Sequence, residues 1–284
     1  MQDDADTSGP STRFARDTSV RPLGDGVYGA TIDESWWIFA GPNGGYVAAI
    51  VLRAMLAEVA DASRRPRSIT LQYLRPPSGG PAEVHVVVER AGRTVTNVSA
   101  RLIQDGRVLV LALAAMAVDR GGSVEFDETT GLPTMPDGSP VPGVGEIAVE
   151  DLDPERDVPM RQHYDLRWVL GDRPFQPGPA EGESQAMTGG WLRPVEPEPI
   201  DEVVLAAMTD AWMPPIFSRV QQPLAVPTVD LTIHFRGRPA DPLAHCFVVF
   251  DSPVAREGYL VEHGRIYSAE GTLLAESRQL AVVA

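Results

Sequence analysis

The sequence predicts an α+β chain in which two antiparallel sheets each wrap a long central helix. Three observations carry that prediction. Within residues 44–60 only Arg53 and Glu58 are charged, and a helix apolar nearly all round must be covered nearly all round. Segments of alternating apolar and polar residues, bounded by Gly, Pro, Asn and Asp, follow it, as strands joined by turns do. The same succession then returns in the second half of the chain.

In the first half, residues 26–32 read as a strand and Asn43 as the cap of the helix. Residues 68–76, 82–90, 95–104 and 107–118 read as strands, the last two joined by a tight hairpin at Asp105 and Gly106. In the second half, strands at 162–170 and 183–194 precede a helix at 199–213, and 228–236, 244–250, 257–268 and 272–284 are strands after it. Both halves end the strand after the helix alike, with "YLR" at 73–75 and "HFR" at 234–236, and Gly106 and Gly271 each open a final hairpin strand. At about 1.5 Å per residue the first helix spans roughly 25 Å, enough to cross a sheet. A sheet curled around one helix is a hotdog, so the chain reads as a double hotdog. Its expected divisions are a disordered N-terminus at 1–20, a first hotdog at 21–118, a linker rich in Pro, Gly and acids at 119–160, and a second hotdog at 161–284.

With 284 residues, 43% hydrophobic and 22% charged, the chain can bury a large core without disulfides. Cys246 is the single cysteine, which excludes an internal disulfide. The N-terminus lacks the basic and then apolar build of a secretory signal, so a cytoplasmic setting is expected. No run reaches the roughly 18 apolar residues of a membrane span. A net charge of -15, with every basic residue an arginine, argues against nucleic acid or an anionic membrane as the main partner.

Gly44 and Gly45 pose a question, since a glycine costs about 1 kcal/mol against alanine in a helix. Behind the Asn43 cap their amides have no intrahelical acceptor. Two readings follow: tight packing against a neighbouring segment, or bare N–H donors at the positive helix end for an oxygen developing negative charge. Asp210 is the second suggestive residue. It follows the apolar run 203–208 and comes shortly before Pro214 and Pro215, which stop the helix. A carboxylate in a last helical turn faces the negative end of the dipole, so it is either solvated or has a task. In apolar surroundings its pKa rises towards the range of a general base.

His85, His163, His234, His245 and His263 stand singly, mostly in strands, without metal-ligand spacing, and read as structural. Cys246, inside the apolar "HCFVVF", reads as a buried inert thiol. Arg64, Arg65 and Arg67 read as a solvated loop after the helix, with a nucleotide phosphate as the alternative partner. The nucleophile elbow, Walker loop and dinucleotide loop are missing.

Over about residues 20–118 and 162–284 the chain resembles the acyl-CoA thioesterase II family of double-hotdog enzymes. The resemblance rests on "FAGPNGGYVAA", "LQYLRPPSGG", "AGRTVTNVSARLIQDGR", "MTDAW", "PTVDLTIHFRGRP" and "RQLAVV", whose order and spacing together are more specific than any one of them. It implies a catalytic trio of Asp210, Thr228 and Gln279, all in the second half. It also implies that Gly44 and Gly45 offer amides to a thioester carbonyl across from Asp210. One such site per chain is expected, because counting from the hairpins places Ala114 where the second half has Gln279. The sequence departs from the family in Pro-Asn-Gly-Gly, where a Gly-Gly-Gln type run is usual, in Leu231, where an Asp-His pair is usual, and in the adjacent Trp36 and Trp37.

The expected activity is hydrolysis of an acyl-CoA thioester, with Trp36, Trp37, Tyr46 and Trp212 as candidate walls of the acyl pocket. No metal or dissociable cofactor is implied, CoA belonging to the substrate. A non-catalytic acyl-thioester binding module is the alternative. A hotdog hydratase or dehydratase ranks behind it, for want of a His-rich motif at the start of the helix. Assembly into a homodimer, sheet against sheet, or a higher homo-oligomer stays open.

Overall fold

The computed structural model describes residues 12–39, 41–129, 131–153, 157–175, 185–220, 222 and 224–283. A short helix α1 (Arg13–Asp17) and strands β1 (Arg21–Gly24) and β2 (Val27–Ile32) precede the central helix α2 (Gly44–Val59). Strands β3 (Arg64–Tyr73), β4 (Gly80–Ala91), β5 (Val95–Gln104) and β6 (Arg107–Val118) follow it. The second half carries β7 (Tyr164–Leu170), β8 (Met187–Pro194), helix α3 (Glu202–Met208), β9 (Thr228–Phe235), β10 (Cys246–Arg256), β11 (Tyr259–Tyr267) and β12 (Leu273–Val282).

The two sheets that the sequence predicts are one. A single 12-stranded sheet runs β1-β2-β4-β5-β6-β3-β9-β12-β11-β10-β8-β7. It is continuous because β3 and β9, the equivalent strands of the two halves, pair antiparallel from Ser68↔His234 to Gln72↔Asp230. Each half would otherwise present an open edge of unpaired N–H and C=O groups, and the pairing satisfies both at once.

The two halves also differ in their helices. α2 runs as its apolar pattern predicts, but α3 has 7 residues where a helix over 199–213 was expected. Asp201 fixes its start by accepting from Val203 N–H at 2.8 Å and Val204 N–H at 2.9 Å. At its end, the amides of Asp210 and Ala211 turn back to the carbonyls of Ala207 and Met208, each at 3.3 Å. This tightening precedes Pro214, which its neighbours cannot meet in helical conformation. Asp210 therefore lies past the helix and not in its last turn.

α2 and α3 pack side by side and antiparallel. Gly45, opening α2, meets Ala207 near the end of α3, while Arg65, beyond the other end of α2, pairs with Glu202 at the start of α3 at 2.7 Å. One face of the sheet covers both helices, with Ile69, Leu71, Leu231 and Ile233 of the central strands in the same core. Leu132, Met135, Val141 and Val144 of the linker lie on the reverse face, where they pack near Trp191 and Phe247.

Residues 12–20, expected to be disordered, are folded; residues 1–11 lie outside the described residues. Thr12 caps α1, and Phe14 is buried edge-on to Trp36 at 5.8 Å and under the Arg53 guanidinium at 5.7 Å. The polar composition of this segment conceals one anchoring aromatic whose partner lies elsewhere in the sequence. Arg64, Arg65 and Arg67 belong to β3 and not to a loop, and they pair with Asp61, Glu202 and Asp119. Of the strand expected at 183–194, residues 183–184 lie outside the described residues, as does Ala284 of the last strand.

Candidate active site

The site begins at the amino end of α2. Asn43 caps it, its Oδ1 accepting from Tyr46 N–H at 2.9 Å. The other end of the same amide donates to Asp210, with Nδ2 at 2.6 Å from the backbone carbonyl and 2.9 Å from Oδ2. Gly45 N–H donates to that Oδ2 at 3.1 Å. The carboxylate is thus seated where the α2 dipole favours negative charge. It can be there because the glycines have no side chains. A Cβ on Gly45 would stand 2.4 Å from the Ala207 carbonyl oxygen, and one on Gly44 would stand 2.9 Å from Asp210 Oδ2. Tight packing explains the glycines, and what the packing admits is a carboxylate.

Burial raises the Asp210 pKa to about 6, while hydrogen bonds from the Gly45 and Gly44 amides and the Gln279 and Asn43 side chains hold it from rising further. Tyr73 Oη donates to Gly44 O at 2.7 Å and pins the first peptide of the helix.

The neighbouring strands β9 and β12 bring the other two predicted residues to this place. Thr228 Oγ1 donates to Gln279 Oε1 at 3.3 Å, and Gln279 also reaches Asp210. Ala114 takes the place of Gln279 in the first half, since Ile69 of β3 faces Ala114 while Leu231 of β9 faces Gln279. Only the second half carries the amide.

The four aromatic candidates go to different tasks. Trp36, 1% exposed, is stacked between Tyr46 at 4.9 Å and His163 at 3.9 Å, and its Nε1 donates to Asp17 at 2.8 Å. Tyr46 Oη donates to Asp17 O at 2.8 Å and accepts from Asp33 N–H at 3.1 Å. These two rings brace α2 in the core. Trp37 is half-buried, and its backbone bridges to Pro42 across the approach to Asn43. Trp212 lies two residues from Asp210, tilted against Trp168 at 5.2 Å, with its Nε1 bonded to Thr188 at 3.1 Å.

Sequence reasoning missed Tyr73, Tyr164, Glu262 and the second role of Asn43. Tyr164 is buried and its hydroxyl meets no protein group among the described residues, while the charge of Asp210 adds to the burial that raises its pKa. Outside the site, His245 bonds Asp165 at 2.9 Å and burial pushes the Cys246 thiol up to about 12. Among the described residues no cluster of three or more His, Cys, Asp or Glu is placed to hold a metal ion. No described helix is long and apolar enough to cross a membrane.

Solved structures place this architecture among hotdog folds. The chain is similar over 97% of its length to 99% of a conserved protein of unknown function with hot dog fold from Alicyclobacillus acidocaldarius, at 24% identity and a TM-score of 0.84. It is similar over 95% of its length to 98% of the tesB protein of Mycobacterium avium subs paratuberculosis, at 20% identity and a TM-score of 0.72. An acyl-CoA thioesterase II, TesB2, from Mycobacterium marinum is matched over the same shares, 95% and 98%, at 19% identity and a TM-score of 0.69. No curated protein matches the chain. Residues 33–118 match the acyl-CoA thioesterase N-terminal domain and residues 133–283 the acyl-CoA thioesterase C-terminal domain. The chain belongs to the acyl-CoA thioesterase family.

Proposed function

We propose that the protein hydrolyses acyl-CoA thioesters to a free acid and CoA, with Asp210 as the base. One observation supports this most: a single carboxylate, raised to about 6 by burial, sits on the bare amides that open α2 and beside Gln279 and Thr228. A base poised near the working pH is suited to take a proton from water. Asp210 takes that proton as the water oxygen attacks the thioester carbonyl, and Gln279 and Thr228 hold the water. The carbonyl oxygen becomes an oxyanion. Protonation of Asp210 weakens its hold on the Gly45 N–H, which then donates to the oxyanion, with the Gly44 amide alongside. The intermediate collapses by breaking the C–S bond, and the CoA thiolate takes the proton back from Asp210.

The substrate class is tested by measuring free CoA released from short-, medium- and long-chain acyl-CoAs. Release with at least one chain length is expected. Binding of CoA thioesters without release at any length would instead support a non-catalytic acyl-thioester module. Trp212, two residues beyond Asp210 in the chain, and Trp37, on the approach to Asn43, are the candidate walls that set acyl length.

A further inference from the structure

Glu262 stands directly across from Gln279 in the β11–β12 register and is 4% exposed. It lies on the side of β11 that sends Leu260, Gly264 and Ile266 inward. A carboxyl group is almost never this buried without a partner. Here the partner is Gln279, whose Nε2 donates to Glu262 Oε1 at 3.0 Å. The other oxygen, Oε2, is buried and meets no protein group among the described residues. Burial first, then the charges of Asp210 and Asp251, push the Glu262 pKa well above the carboxylate range, with the Gln279 hydrogen bond opposing. The same surroundings disfavour a second charge beside Asp210.

The first half of the chain provides the comparison. The pair equivalent to Glu262↔Gln279 is Val98↔Ala114, both buried. Both positions are apolar in the half without the carboxylate and polar in the half with it. A buried polar pair is no gain in stability over an apolar one, so stability does not explain the difference.

The two ends of a Gln amide have nearly the same shape, and only its neighbours decide which way it points. Thr228 fixes the oxygen end and Glu262 fixes the nitrogen end. We propose that Glu262 is a positioning residue for the thioester hydrolysis proposed above, on which this role rests: it holds Gln279 with its oxygen towards Thr228 and its second N–H towards Asp210 and the attacking water.

The test uses Glu262→Val and Gln279→Ala, which together copy the Val98↔Ala114 pair, so the double variant should fold. With CoA release as the readout, Glu262→Val is expected to lower kcat about 10- to 100-fold with KM little changed, as loss of orientation does. Adding it to Gln279→Ala should cost nothing more, because Glu262 acts through Gln279. Glu262→Gln, which keeps an oxygen to accept from Nε2, should restore most of the wild-type kcat. Wild-type kcat in Glu262→Val, or a double-variant loss equal to the product of the single losses, would overturn this role alone. Absence of CoA release by the wild type would overturn the hydrolase reading as well.

Discussion

The carboxylate of Asp210 accepts the backbone N–H of Gly45 at 3.1 Å, so the turn that ends α3 is joined to the first turn of α2. The two halves of the chain meet at this bond, and each brings what the other lacks. The first half contributes a capped helix with bare amides, and the second contributes the acid.

The pH dependence follows from Asp210. Tyr73, Tyr164 and Glu262 face it, each with a pKa raised by burial and by the Asp210 charge. Asn43 and Gln279 do not titrate. Asp210, raised from an ordinary 3.8 to about 6, changes charge near neutrality. With its ionised form as the proposed base, kcat/KM should rise with pH through about 6 and then level, which a pH profile of CoA release would show.

Stability should run the other way. A raised folded-state pKa means that the native state binds this proton more tightly than the unfolded chain does. Its stabilising contribution is full below the unfolded value of 3.8 and is lost as pH rises through about 6. Asp210→Asn should therefore melt above the wild type in alkaline buffer, and the gap should close in acid. Equal melting temperatures across the range would contradict a raised Asp210 pKa.

Gly44→Ala and Gly45→Ala should separate chemistry from stability. At Gly45 the new Cβ meets backbone, at 2.4 Å from Ala207 O, which cannot yield without parting the helices. Thermal or denaturant unfolding should show a loss of about 1–3 kcal/mol. At Gly44 the nearest atom, at 2.9 Å, is the end of the Asp210 side chain. The fold should survive there while kcat falls.

Asn43→Asp keeps an oxygen to cap Tyr46 N–H, and Asp is as good an N-cap as Asn. It also exchanges the Nδ2 that donates to Asp210 for a second negative charge. Like charges oppose ionisation, so the acid limb of kcat/KM should move up by about one unit or more with little change in melting temperature. An unmoved limb would mean that Asn43 caps the helix and does nothing for the acid.

Much of this was legible in the sequence, for reasons that also explain the rest. α2 was readable because its apolar run, its cap and its length agree. The alignment of Ala114 with Gln279 was readable because strand registers can be counted from the Gly106 and Gly271 hairpins. Fusion of the sheets was not, because β3 and β9 look alike whether their edges pair with each other or face water. Asp210 was expected to oppose the dipole of its own helix. Its environment is set by the positive end of α2, a contact between residues 165 positions apart. Glu262 left one signal, an acid at the inward parity of β11 between Leu260 and Gly264, and its meaning needed the partner strand.

Whether Asp210 is the base of a thioester hydrolase is decided by free CoA release from the Asp210→Asn variant. Measured above pH 7 with the best acyl-CoA substrate and with folding confirmed by the melting curve, kcat should fall by about 10²- to 10⁴-fold against the wild type. A variant that releases CoA as fast as the wild type would mean that Asp210 is not the base.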